Sequence, residues 1–322
     1  MRTLLISFLV LLACTTTDSD SKDSLTFSEA FPGALQVKGV QLTDEQGVPV
    51  VLRGVSLGWH NWWPRFYQQG TVRHLRQEWN ATVIRAAMGI DVANGYLQNP
   101  VFAKENVGRV VEEAIRQNMY VIIDWHSHHL YEEEAKVFFA EMAQKYGDYP
   151  HVIYEIYNEP IDETWSQLKS YSESVIAAIR KHDPDNLILI GTPRWSQEVD
   201  AAALDPIQGH SNLMYVLHFY AGTHQKWLRD KADLARSKGL AIFVSECAGM
   251  DADGNGPIDQ NSWTEWVNWM ESRRISWLAW SIADKDETCS MLYPSASNSG
   301  PWSDDHLKPW GRQVKQLLIE KN

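Results

Sequence analysis

The sequence predicts an α/β protein built as a single (β/α)8 TIM barrel with a short N-terminal β-hairpin. Eight short runs rich in β-branched and apolar residues recur along the chain, each parted from the next by one helical pattern. These runs are continuously apolar rather than alternating, as strands of a parallel sheet buried on both faces are. The length of 322 residues suits one barrel of roughly 250 residues with extensions. A doubly wound open sheet is the alternative, and no GxGxxG loop supports its dinucleotide site.

The chain opens on a targeting segment. Arg2 precedes the apolar run Leu4 to Leu12, too short for a membrane span, and Leu11-Leu12-Ala13-Cys14 places a cysteine after a small residue, in the form of a bacterial lipobox. Residues 1–13 are therefore expected to be a lipoprotein-type signal peptide, with Cys14 lipidated and residues 14–33 a polar tether. The remainder, 34–322, is expected to form one folded domain. Leu35-Gln36-Val37 and Val48 to Leu52, parted by Thr43-Asp44-Glu45-Gln46-Gly47, read as the hairpin.

Strands are expected at Val51 to Val55, Thr82 to Ala86, Tyr120 to Asp124, Val152 to Tyr157, Asn186 to Ile190, Leu213 to Leu217, Ala241 to Ser245 and Ile275 to Trp280. Helical patterns cover Thr71 to Trp79, Val101 to Gln117, Glu132 to Tyr146, Thr164 to His182, Ser196 to Ala203, Gln225 to Lys238, Gln260 to Glu271 and Pro309 to Ile319. Thr164 is placed to cap its helix, and His182-Asp183-Pro184-Asp185-Asn186 is a turn at its end.

Composition narrows the function. The net charge is −12, and the basic residues are scattered, which argues against a nucleic-acid partner. Fifteen Trp and twelve Tyr fill cores, but also suit a cleft that stacks on sugar rings. Cys247 and Cys289 each follow a strand and are disulfide candidates in an exported protein, with two buried thiols as the alternative.

In a barrel of this kind chemistry belongs at the C-terminal strand ends. Those ends carry Arg85, His126, Asn158, Glu159, His218, Tyr220, Glu246 and Trp280. Pro160 stops one strand so that Glu159 sits at its tip, and Glu246 ends another. Two such acids suit glycosidic bond cleavage, one protonating the leaving oxygen and the other attacking the anomeric carbon. Asn158 can bond a sugar 2-hydroxyl, His218 and Tyr220 can orient a carboxylate, Arg85 can hold Glu246 ionised, and Trp280 offers a flat floor.

The motifs Ile156-Tyr157-Asn158-Glu159-Pro160, Val83-Ile84-Arg85-Ala86-Ala87-Met88, Ile122-Ile123-Asp124-Trp125-His126, Leu217-His218-Phe219-Tyr220-Ala221-Gly222-Thr223-His224 and Val244-Ser245-Glu246 together resemble glycoside hydrolase family 5. The bacterial endo-β-1,4-glucanases (cellulases) are the most similar, over about Val37 to Leu292. The resemblance implies a retaining mechanism with Glu159 as acid/base and Glu246 as nucleophile, without a metal or other cofactor. It also implies that Arg85, His126, Asn158, His218, Tyr220 and Trp280 line the cleaving subsite. By the same resemblance Trp62 and Trp195 are aromatic platforms, and Lys285 with Glu287 contacts a glucose hydroxyl. The chain departs from the family pattern at Ser56-Leu57-Gly58-Trp59-His60-Asn61-Trp62, at Met88-Gly89-Ile90, and at Cys247, where a Trp is usual.

His126, His128 and His129 cluster within four positions, a pattern that invites a metal reading, but a barrel metal site needs ligands converging from several strands. Asp251-Ala252-Asp253-Gly254-Asn255-Gly256 lacks the Glu that completes a calcium loop and reads as a turn. The expected protein is a monomeric retaining endo-β-1,4-glucanase acting on β-glucan. The alternatives are a β-mannanase or mixed-linkage β-glucanase on the same site, or a non-catalytic surface glycan-binding protein. It is expected to be exported as an envelope lipoprotein, periplasm-facing or at the cell surface, and otherwise secreted, meeting the membrane only through a lipid on Cys14.

Overall fold

A computed structural model of the protein describes residues 33–322. The expected signal peptide, Cys14 and nearly all of the tether lie outside the described residues. A two-stranded hairpin, β1 (Gln36–Lys38) and β2 (Gln41–Thr43), precedes the barrel. The barrel strands are β3 (Arg53–Leu57), β4 (Val83–Gly89), β5 (Tyr120–His126), β6 (Val152–Glu155), β7 (Ile188–Ile190), β8 (Leu213–Tyr220), β9 (Ile242–Ala248) and β10 (Trp277–Ile282). Each pairs in parallel with the next, and β10 closes on β3. Around them run α1 (Gln69–Glu78), α2 (Pro100–Arg116), α3 (Glu132–Tyr146), α4 (Trp165–Arg180), α5 (Pro193–Ser196), α6 (Val199–Leu204), α7 (Lys226–Ser237), α8 (Gln260–Arg273) and α9 (Pro309–Lys321).

The apolar residues divide into two shells. Val83, Ile122, Ile153, Leu189, Val216 and Phe243 pack together inside the barrel, with Leu35 and Leu42 of the hairpin region joining them to plug its N-terminal end. Their chain neighbours Ile84, Val121, Ile123, Tyr154, Ile190 and Val244 belong to the larger outer shell under the helices. Side chains thus alternate as in any strand, but both faces are apolar, which is why the sequence shows a continuous run. Gly54 is required where β3 meets β4, since a Cβ there would lie 1.7 Å from the Val83 carbonyl oxygen.

Three departures from expectation are local. The hairpin turns at Gly39, which takes φ +61°, so its second strand is Gln41–Thr43 and not Val48 to Leu52. The expected turn at 43–47 makes a further reversal, closed by Val48 N donating to Asp44 Oδ1 at 2.8 Å. The single helix expected from Ser196 to Ala203 is replaced by the short turn α5 and by α6, because Arg194, Trp195 and Ser196 all take positive φ.

Of the two readings of Cys247 and Cys289 the structure takes the second: no bridge is formed, and both are buried free thiols. The strands concerned are neighbours, with Cys247 paired to Ala279, but the two side chains face different surroundings. Cys247 Sγ donates to the Leu278 carbonyl oxygen at 3.3 Å, whereas Cys289 lies in the loop beyond β10, 3.0 Å from where a Cβ on Gly254 would stand.

Candidate active site

The predicted site residues gather at the C-terminal end of the barrel, on two levels. Arg85 is not at the rim: it lies within β4, fully buried, as a strut beneath the cleft. Its Nε and Nη2 donate to Glu155 at 2.8 and 3.1 Å, Nη1 to Glu246 Oε2 at 3.0 Å, and Nη2 to Asn158 Oδ1 at 2.7 Å. Asp124 Oδ2 is 3.0 Å from the same Nη2. One planar guanidinium therefore fixes residues from three other strands and the loop after β6.

Above it stand Glu159, in the loop after β6, and Glu246, on β9. Carboxylate oxygens of the two and a ring nitrogen of His218 all lie within 4.8 Å of one another. So close an approach suits the short gap of about 5–5.5 Å used for direct attack by a carboxylate better than the ~6.5–9.5 Å that leaves room for a water. His218 and Tyr220 each serve a different acid rather than a common one. His218 Nδ1 bonds Glu159 Oε1 at 2.9 Å, and the Tyr220 hydroxyl donates to Glu246 Oε1 at 2.7 Å.

The position of Glu246 depends on an irregularity in β9. Two steps along β8, from Val216 to His218, face three along β9, from Phe243 to Glu246. The extra residue is a bulge, and it lets Ser245 and Glu246 both reach into the site. Ser245 Oγ bonds His218 Nε2 at 2.9 Å and donates to Glu155 Oε1 at 2.8 Å. Glu159, His218, Ser245, Glu155 and Arg85 thus form one continuous hydrogen-bonded chain.

Burial lowers the His218 imidazolium, but the bonds to Glu155 and Glu159 and the Glu246 charge outweigh it and push its pKa up to about 9. His218 is accordingly a cation at neutral pH, donating from both ring nitrogens. Burial raises the Glu246 carboxyl and the adjacent Glu159 charge adds to that, while His218, Arg85 and the Tyr220 hydroxyl oppose it. Arg85 alone does not set the state of Glu246, because its charge is divided among Asp124, Glu155 and Glu246. Glu155 is resisted by burial but held below the ordinary carboxylate range by Arg85 and His218. Burial drives the Asp124 carboxyl up, against the pull of Arg85, and the His126 imidazole down, and Asp124 Oδ2 meets His126 Nδ1 at 2.6 Å.

Asn158 gives its amide oxygen to Arg85, which leaves Nδ2 buried without a protein partner and available to a ligand hydroxyl. Trp280 lies parallel to the His126 ring, 5.3 Å between centroids, and walls a cavity of about 190 Å³ with Trp59, Trp62, Glu159, Glu246 and Lys285. Lys285 and Glu287 are ion-paired at this edge. On the other side of Glu159 a cavity of about 360 Å³ is bounded by Trp195, Gln197, His218, Tyr220 and His224. Trp62 and Trp195, 52% and 42% exposed, are not core packing; each lines one of these cavities.

Glu155, Asp124 and Ser245 escaped the sequence reading because they lie inside runs read as apolar strands. The available signal was a lone acid within an apolar strand, since a buried carboxylate needs a cationic or donor partner. The three histidines after Asp124 do not converge on a metal: His126 Nδ1 is held by Asp124, and His128 Nδ1 bonds the Glu159 carbonyl oxygen at 3.2 Å. Among the described residues the one set with metal-ligand spacing is Glu159, His218 and Glu246. In it the His218 ring nitrogens are already taken, Nδ1 by Glu159 Oε1 at 2.9 Å and Nε2 by Ser245 Oγ at 2.9 Å.

Comparison with known proteins agrees with this geometry. Residues 43–286 match the family model described as cellulase (glycosyl hydrolase family 5). An endoglucanase of Clostridium saccharobutylicum is 45% identical over 300 residues, covering 91% of this chain and 66% of its own length. Endoglucanase Z of Dickeya dadantii is 47% identical over 271 residues, covering 82% of this chain and 62% of its own length. The chain therefore spans slightly less than two thirds of these relatives. The catalytic domain of a Thermobifida fusca endoglucanase, solved as a variant with cellotetraose, superposes with a TM-score of 0.84 at 33% identity, over 90% of this chain and 99% of that one. The match over most of the barrel, joined to a close acid pair at its mouth, establishes that the chain belongs to the cellulase family, glycosyl hydrolase family 5.

Proposed function

We propose that the protein is a retaining endo-β-1,4-glucanase that cleaves internal bonds of cellulose-like chains in two displacements. In the first, Glu246 attacks the anomeric carbon while Glu159 passes its proton to the departing glycosidic oxygen, leaving the sugar esterified to Glu246. In the second, Glu159 takes a proton from water as that water attacks the same carbon, and Glu246 is released. The observation that carries this reading is the approach of the two acids to within 4.8 Å. The His218 cation supports the Glu159 carboxylate once its proton has gone, Asn158 Nδ2 serves the 2-hydroxyl, and Trp280 carries the ring.

Incubation of the purified protein with carboxymethylcellulose tests the activity. New reducing ends are expected, with higher rates on cellulose oligomers than on mannan in a substrate panel. Glucan binding without reducing ends at any pH would make the protein a glycan-binding one instead, and a preference for mannan or barley glucan would reassign the substrate.

We also infer export with a lipid on Cys14, residues 1–13 being the signal and 14–33 a tether to the domain that follows. The support is the lipobox-like Leu11-Leu12-Ala13-Cys14 after an apolar run with Arg2 before it. Cys14→Ala is expected to abolish labelling by radioactive palmitate; labelling that persists would contradict the assignment.

A further inference from the structure

The backbone around Glu159 is pinned by the turn that carries Trp195. Ser196 Oγ donates to the Asn158 carbonyl oxygen at 2.8 Å, and Trp195 N donates to the Pro160 carbonyl oxygen at 2.8 Å, so the turn grips the chain on both sides of Glu159. Ser196 is fully buried and also accepts from Thr192 N at 3.3 Å, which ties it back to its own strand end. Arg194, Trp195 and Ser196 hold φ values of 53°, 55° and 54°, a left-handed run that none of these residue types favours. Such a run persists only where the surroundings over-determine it. Here they make the Trp195 platform and the Glu159 loop a single unit.

We propose that Ser196 is a positioning residue for Glu159, through which the Trp195 wall of the neighbouring cavity sets the aim of the acid/base carboxyl. This rests on the glucanase reading above. The side chain of Glu159 has one close protein bond, to His218, so its direction depends on where its backbone is held. Ser196 acts on proton transfer to and from the leaving oxygen. Attack by Glu246, which bonds Arg85 and Tyr220 and not the loop that Ser196 grips, depends on it less.

The test compares the wild type with Ser196→Ala and Ser196→Gly on cellotetraose and on 2,4-dinitrophenyl β-cellobioside, whose leaving group needs no proton. On cellotetraose kcat/KM is expected to fall about tenfold in both variants, and on the activated substrate by less than about twofold, the pattern of an unmade hydrogen bond felt only in proton transfer. Azide, which attacks the glycosyl-enzyme without a general base, is expected to restore kcat on the activated substrate. Equal losses on both substrates, no loss on cellotetraose, or recovery in Ser196→Gly, which relieves the left-handed backbone, would overturn the proposal while the glucanase reading stands. A wild type inert on both substrates would overturn that reading and this proposal with it.

Discussion

His218 couples Glu159 to the buried strut below it, and its protonation sets a pH limit. Its pKa in the fold, about 9, is above the ordinary value near 6.5. A raised pKa contributes stability in full below about pH 6.5, declining through the window to about 9 and absent above it. The urea midpoint of the wild type is expected to exceed that of His218→Asn at pH 6, with the gap closing by pH 9 to 10. A gap that widens with pH would contradict the assignment. The acids themselves separate by rescue: Glu246→Gly is expected to lose hydrolysis and regain turnover with azide, and Glu159→Ala to retain activity mainly on substrates with good leaving groups. Failure of both rescues would reassign the roles. Glu159 and Glu246 were legible from the sequence because each ends an apolar run. Glu155 was not, because a strand with two apolar faces gives no alternation to show which residues point inward.

At the scale of elements, helix starts were the more legible feature. Thr164 caps α4 through a full capping box, Gln167 N donating to Thr164 Oγ1 and Gln167 Oε1 accepting from Thr164 N. Thr164→Ala is expected to cost about 1 kcal/mol and lower Tm by about 2–4 °C, with glucanase activity unchanged; differential scanning calorimetry checks it. The bulge in β9 and the left-handed turn of α5 were not legible. Both are imposed by contacts between distant segments, His218 with Ser245 and Ser196 with Asn158, and neither leaves a local propensity signal. The hairpin turn was misplaced for a simpler reason: Thr43 to Gly47 is as good a turn sequence as the one at Gly39, and the chain uses both.

Across the whole molecule, stability and chemistry occupy opposite ends of the barrel. Leu42, 1% exposed, plugs the N-terminal end and touches nothing in the cleft. Leu42→Ala is expected to cost about 2–5 kcal/mol in a denaturant titration with kcat/KM unchanged at temperatures where the fold persists. The barrel itself was legible because eight strand and helix alternations admit few closures; the state of the two cysteines was not, because spacing says nothing of which face of a strand a thiol occupies. In the proposed mechanism the fold holds Glu159 and Glu246 a covalent step apart. Proton NMR during the first turnovers on cellotetraose reads this directly. The new reducing end is expected to appear as the β-anomer and only later mutarotate, whereas initial release of the α-anomer would show that water and not Glu246 attacks the sugar.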